Sequence, residues 1–174
     1  MSDNTETRLW STEGFREDEY IFADDFDAAG DAPAVIIPLA VWVGLDEEHR
    51  RSSNRRIGVL VAPGEKIDPL LGLLDSLPVI ALQFPAFNDG RSYSKAEILR
   101  REGFEGELRA VGDVLIDQAV LMLRAGFDTL QVTNKVALAR LGEHRLVDTP
   151  GYYQPGRGSV PEKGAFAWRR VKVG

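Results

Sequence analysis

The sequence predicts an α/β protein built from sequential βα units on a parallel sheet, arranged like part of a (β/α) barrel, with an open wound sheet as the alternative. Three observations predict it. Four apolar, strand-like runs begin near residues 57, 79, 107 and 129, a period of 22–28 residues. The gaps between them hold helical patterns, and such a repeat implies parallel strands joined by right-handed crossovers. The units also follow one another evenly, which favours the barrel-like order over a wound one. A full eight-unit barrel takes about 250 residues, more than the 174 present.

Each element has its own warrant. "AVIIP" is a short apolar run from Ala34, and Pro38 suits the first turn of a helix whose Leu39, Trp42 and Val43 share a face. "DEEHRR" is a charged end, with Asp46/Arg50 and Glu47/Arg51 at the stabilising i,i+4 spacing. "RIGVLVAPG" is a continuous apolar run stopped by Pro-Gly, as expected of a buried strand. "DPLLGLLDSL" offers Asp68 as cap, Pro69 at the first helical position and a leucine-rich body. "PVIALQFP", "GELRAVG" and "DTLQVTN" are the next three strands, and helices are expected over residues 94–102, 113–125 and 135–141. The helix 113–125, through "VLIDQAVLML", has too little polar surface for an ordinary exposed helix. It is expected to be covered on more than one side, by the chain's own tail or by a second copy in a homo-oligomer.

Three segments differ in composition. Residues 1–31 hold ten acids and two bases, a net of −8 in a chain of net −6, so the remainder carries about +2. Within them, two aromatic-bearing runs around Gly14 suggest a hairpin, and "DDFDAAGDAP" reads as a linker. Residues 32–147 are the parallel α/β core. Residues 148–174 form a tail rich in Gly and Pro that still holds Tyr152, Tyr153, Phe166 and Trp168. Such aromatics call for packing on the core or on a partner. The tail's last stretch, residues 157–174, has five bases and one acid, so an acidic head and a basic tail can attract each other or another protein.

Composition excludes several chemistries. There is no cysteine, hence no thiol nucleophile, disulfide or redox dithiol. His49 and His144 are far apart in charged segments, without ligand spacing, so no metal site is expected. Neither a Gly-x-Gly-x-x-Gly nor a Walker loop is present, "GRGS" at 156–159 does not follow a strand, and no Ser–His–Asp set can be argued. No cofactor is expected. The core is not basic enough for nucleic acid. No apolar run reaches the roughly 18–20 residues of a membrane helix, and "MSDNTETRLW" is not a secretory signal, so no membrane contact and a cytoplasmic location are expected.

The stretch "FPAFNDGRSYSKAEILRREGFEGELRAVGDVLIDQ" concentrates the candidate site residues. Much of its polarity has a local use. Ser94 and Glu97 have capping-box spacing, with Tyr93 and Ile98 as a hydrophobic staple. Asn88-Asp89-Gly90 is a turn, and Asp113 suits a helix N-cap. Arg91 and Arg109 are left over, and an arginine inside "ELRAVG" needs a partner. For Arg109 the expected partners are Asp89, Asp113 or a bound anion. Asp89, Arg91, Arg109, Asp113 and Asn134 are therefore the anion-binding candidates, at the carboxyl ends of the strands where such folds bind ligands. A structural ion-pair network is the competing reading. Nothing in these residues names a catalytic set.

From Phe84 to Asp128 the polar and apolar positions together resemble bacterial domain-of-unknown-function family 934. The shared pattern runs FP-x-F-x-DGR-x-YS-x-A-x-x-LR, then GELRA-x-GDVL-x-DQ, then GFD, and "GVLVAP" and "PLAVW" extend it upstream. The resemblance implies an association with assimilatory sulfate and sulfite reduction, and a label of probable oxidoreductase that rests on gene neighbourhood. It implies no catalytic residues. With no cysteine or dinucleotide motif, an accessory protein docking on sulfite reductase or another sulfur-assimilation enzyme is the expected function. A small anion-binding enzyme of the same pathway is the alternative.

Overall fold

Six strands run parallel through a single eight-stranded sheet in the computed structural model, which describes residues 7–52, 54–86, 88–143 and 146. The strands are β1 (Arg8–Ser11), β2 (Gly14–Arg16), β3 (Ile21–Phe22), β4 (Ala34–Pro38), β5 (Arg56–Val61), β6 (Val79–Phe84), β7 (Glu107–Gly112) and β8 (Thr129–Val132). The helices are α1 (Leu39–Gly44), α2 (Glu47–Ser52), α3 (Asp68–Leu71), α4 (Arg91–Arg101), α5 (Ile116–Ala125) and α6 (Lys135–Gly142). The sheet order is β2-β1-β8-β7-β6-β5-β4-β3, so consecutive parallel strands are neighbours. The result is an open, strongly curled half-barrel, the wound-sheet alternative carried out in sequential order.

The chain length between the two edges forces the curl. β2 and β3 occupy opposite edges, yet Ile21 follows Arg16 by five residues. Five residues reach at most about 17 Å. A flat eight-stranded sheet at about 4.8 Å per strand would be roughly 33 Å wide. Residues 17–20 can bridge the edges only across the hollow of a bent sheet. The hairpin β1–β2 thus extends one edge antiparallel to β8, β3 completes the other, and both edge strands are short, which limits unwanted pairing.

Alternation along the strands separates two faces. Val35, Ile37, Val59, Ile80, Leu82, Phe84, Leu108 and Leu130 pack on the helices in the main core, with Leu39, Trp42, Leu99, Met122 and Leu141 from the helix side. Ile36, Val79, Ala81 and Val111 form a smaller cluster on the concave face, where Tyr20 packs against them. The segment 17–22 therefore fills the hollow with a side chain, Tyr20, from the acidic N-terminal residues.

All four expected strands lie where their apolar runs begin, and all pair in parallel. Several helix starts differ. "AVIIP" is strand β4, and α1 ends at Gly44, leaving Val43 exposed and α2 separate. Asp46 caps α2 by accepting from the His49 N–H at 2.8 Å, while Arg50 stacks on Trp42 and donates to the Val43 carbonyl. Asp68 lies inside α3, and Ile67 holds the cap position. α4 starts at Arg91, so Ser94 is helical and the capping box does not form. The Ser92 hydroxyl instead donates to the Gln83 carbonyl at 2.7 Å, fixing the earlier start.

α5 starts at Ile116 because Gly112 adopts φ 103° and turns the chain back over β6. The Asp113 N–H then donates to the Phe84 carbonyl at 2.7 Å, so Asp113 joins two strand ends and does not cap. A Cβ on Gly112 would stand 2.3 Å from that same carbonyl oxygen. Gly112→Ala is expected to lose at least about 1–3 kcal/mol from the left-handed backbone alone, measured by denaturant unfolding. α5 itself packs against both α4 and α6, burying Ala119, Met122 and Ala125, while Leu121 stays 50% exposed. The tail expected over 148–174 lies outside the described residues.

Candidate functional site

The polar residues of the concave face fall into two groups, one at each end of the strands. Nearer the amino ends lies Arg109, fully buried. Its guanidinium donates to Asp18 at 2.6 Å and to Glu107 at 3.0 Å and faces the Tyr20 ring at 5.6 Å. Glu107 is shared further, accepting from Arg16 at 2.6 Å and from the Thr129 hydroxyl at 2.7 Å. Arg56, at the start of β5, pairs with Glu19 at 2.8 Å. Burial raises the Tyr20 phenol above its ordinary pKa. Arg109 is thus buried and paired as expected, but its partners correct the expectation. They are Asp18 from the segment crossing the hollow and Glu107 two residues away on the same strand face. Asp89 and Asp113 are not among them.

The carboxyl ends carry the other candidates, in three separate places. Asp89 and Arg91 hold each other at the β6–α4 corner, with Arg91 donating at 2.9 and 2.5 Å. That bond holds the Asp89 carboxyl down at about 2. A depressed carboxylate favours the fold above its unfolded pKa and loses that contribution as pH falls through the folded value. In Arg91→Gln the Asp89 titration is expected to rise toward about 3.9, read by carboxyl NMR. Asn134 caps α6, accepting from the Val136 and Ala137 N–H groups at 3.0 Å. Asp113 lines the concave mouth.

Two features at this end were not singled out in the sequence. Lys95, one turn into α4, donates to the Ala62 and Pro63 carbonyls at 2.8 and 2.6 Å, and burial, followed by the nearby Arg91 charge, lowers its pKa. Gln83 and Gln131 face the mouth from β6 and β8, and their signal was a polar residue inside otherwise apolar runs, "VIALQF" and "TLQV". Tyr93, expected to staple a helix start, stacks edge-on to Phe84 at 5.2 Å, and burial pushes its phenol to about 12.

A second buried arginine ties the frame. Arg100 donates to the carbonyls of Phe104 at 2.7 Å, Gly106 at 3.0 Å and Gly126 at 2.9 Å, and to the Asp128 carboxylate. Asp128 also accepts from the Leu108 N–H at 2.8 Å. Among the described residues, no group of three or more His, Asp and Glu side chains could hold a metal ion, and no helix is long and apolar enough to cross a membrane.

These features define a small curled α/β half-barrel whose arginines within the strand-to-helix frame are engaged by its own acids and carbonyls. The chain belongs to the family of bacterial proteins of unknown function DUF934, whose model matches residues 58–161, from the third residue of β5 to beyond α6. No curated protein matches the sequence.

Proposed function

We propose that this chain is an accessory protein of assimilatory sulfate and sulfite reduction. It docks in the cytoplasm on sulfite reductase or on another sulfur-assimilation enzyme and brings no redox cofactor of its own. The sulfur context follows from what the resemblance over Phe84 to Asp128 implies. The observation that carries the accessory reading is the engagement of the candidate anion ligands. Arg109 is held by Asp18 and Glu107, Arg91 by Asp89, and Asn134 by the α6 amides. An anion entering there would first have to displace a carboxylate or uncap a helix. The test is capture of tagged chain from cells grown on sulfate as sole sulfur source, with sulfite reductase expected among the retained proteins. A deletion strain, lacking any paralogue, is expected to grow poorly on sulfate, and growth at the parental rate contradicts the proposal.

A second reading, a small anion-binding enzyme of sulfur assimilation, is favoured by one observation. Arg91 and Lys95 stand close enough at the strand carboxyl ends for one charge to depress the other. It predicts that sulfite or sulfate raises the melting temperature of the purified chain, and that Arg91→Gln removes the rise.

A further inference from the structure

The mouth of the half-barrel has a chemistry that the anion readings do not use. At the carboxyl ends of β6, β7 and β8 a cavity of about 480 Å³ opens on the concave face. Phe22, Leu60 and Val111 are its apolar walls, and Gln83, Gln131 and Thr133 supply polar groups. Gln83 lies level with Val111 in the β6–β7 register, and Gln131 lies level with Leu9 of β1. The Gln131 Oε1 is buried and accepts no hydrogen bond from the described residues. A buried amide oxygen without a donor loses its hydration and gains nothing in return, so the position is unfavourable unless something else supplies the donor.

The lining also says what that ligand is not. Among the described residues no lysine or arginine lines the cavity, and the one charged residue there is Asp113. A carboxylate at the rim repels anions. Asp113 is itself already engaged within the chain, so it is not reserved for a cation. Two primary amides, one on each side of Val111 across β7, offer donors and acceptors, which matches a group between them that offers both in return. Apolar walls beside a few convergent polar groups are the usual make-up of a small-molecule site, and this end of the strands is where such sheets place one.

We infer that the mouth binds a neutral small molecule with a carboxamide-type head on Gln83 and Gln131 and an apolar body against Phe22, Leu60 and Val111. The test uses the full chain labelled with nitrogen-15 and three probes of one shape: benzamide, benzoate and benzylammonium. Benzamide is expected to shift the side-chain amide signals of Gln83 and Gln131 with saturation. Benzoate and benzylammonium are expected to bind at least tenfold more weakly. Gln131→Met is expected to weaken benzamide at least tenfold while leaving the melting temperature within a few degrees of the parent. Should that variant fold poorly, the three-probe comparison on the unaltered chain decides alone. Equal or tighter binding of either charged probe at the same signals overturns the inference, as does benzamide that never saturates them.

Discussion

Arg109→Leu destabilises the fold by about 3–5 kcal/mol, the cost of leaving buried charge without its counter-charge. The arginine is fully buried, and Asp18 and Glu107 converge on it from two chain segments. Leucine fills part of the volume but leaves both carboxylates partly buried. Glu107 keeps Arg16 and Thr129, whereas among the described residues the Asp18 carboxylate keeps the Tyr20 N–H at 3.0 Å. The segment 17–22 should therefore loosen first, exposing Tyr20 and the concave cluster beneath it. Denaturant unfolding measures the total, and hydrogen exchange at residues 17–22 locates it. Arg109→Lys is expected to recover only part of the loss, since an ammonium cannot serve both acids with the planar fork of a guanidinium. A loss under about 1 kcal/mol for Arg109→Leu would mean that the network is not holding the hollow closed.

Arg100→Met is the second large effect, at least about 3 kcal/mol. Hydrogen bonds from a charged donor contribute about 1.5–3 kcal/mol each. Arg100 makes such bonds to three carbonyls and one carboxylate, joining the end of α4 to the turns that enter β7 and β8. Methionine matches much of the stem and none of the donors. Its loss leaves the Phe104, Gly106 and Gly126 carbonyls to find water or stay unpaired. Thermal unfolding of the variant checks this, and a shift within a degree or two of the parent contradicts it.

The sequence was most legible where burial alone decides structure. A parallel strand covered on both faces reads as an unbroken apolar run, and all of β5 to β8 were found that way. Asn134 was read only as an anion-binding candidate at a strand end, although its use as the cap of α6 is local chemistry. Arg109 was visible as buried and paired because a charge inside such a strand leaves no other option. Its partner Asp18 was not visible. It is 91 residues away and arrives only through the curl of the sheet. The same curl carries residues 17–22, which follow the N-terminal hairpin, into the hollow. Ser94 misled because a tertiary bond from Ser92 to Gln83 set the start of α4, and no local pattern announces that. Gln83 and Gln131 passed unnoticed since neither residue type is chemically unusual. Their meaning depends on sharing one face of two different strands.

The accessory reading is tested most directly by titrating the purified chain into purified sulfite reductase of the same organism, followed by calorimetry and co-elution. Saturable binding at a fixed ratio with a co-eluting complex is expected, with no rise in the chain's own melting temperature with sulfite or sulfate. Separate elution at all ratios, together with a sulfite-dependent rise that Arg91→Gln abolishes, would contradict it and leave the anion-binding enzyme in its place.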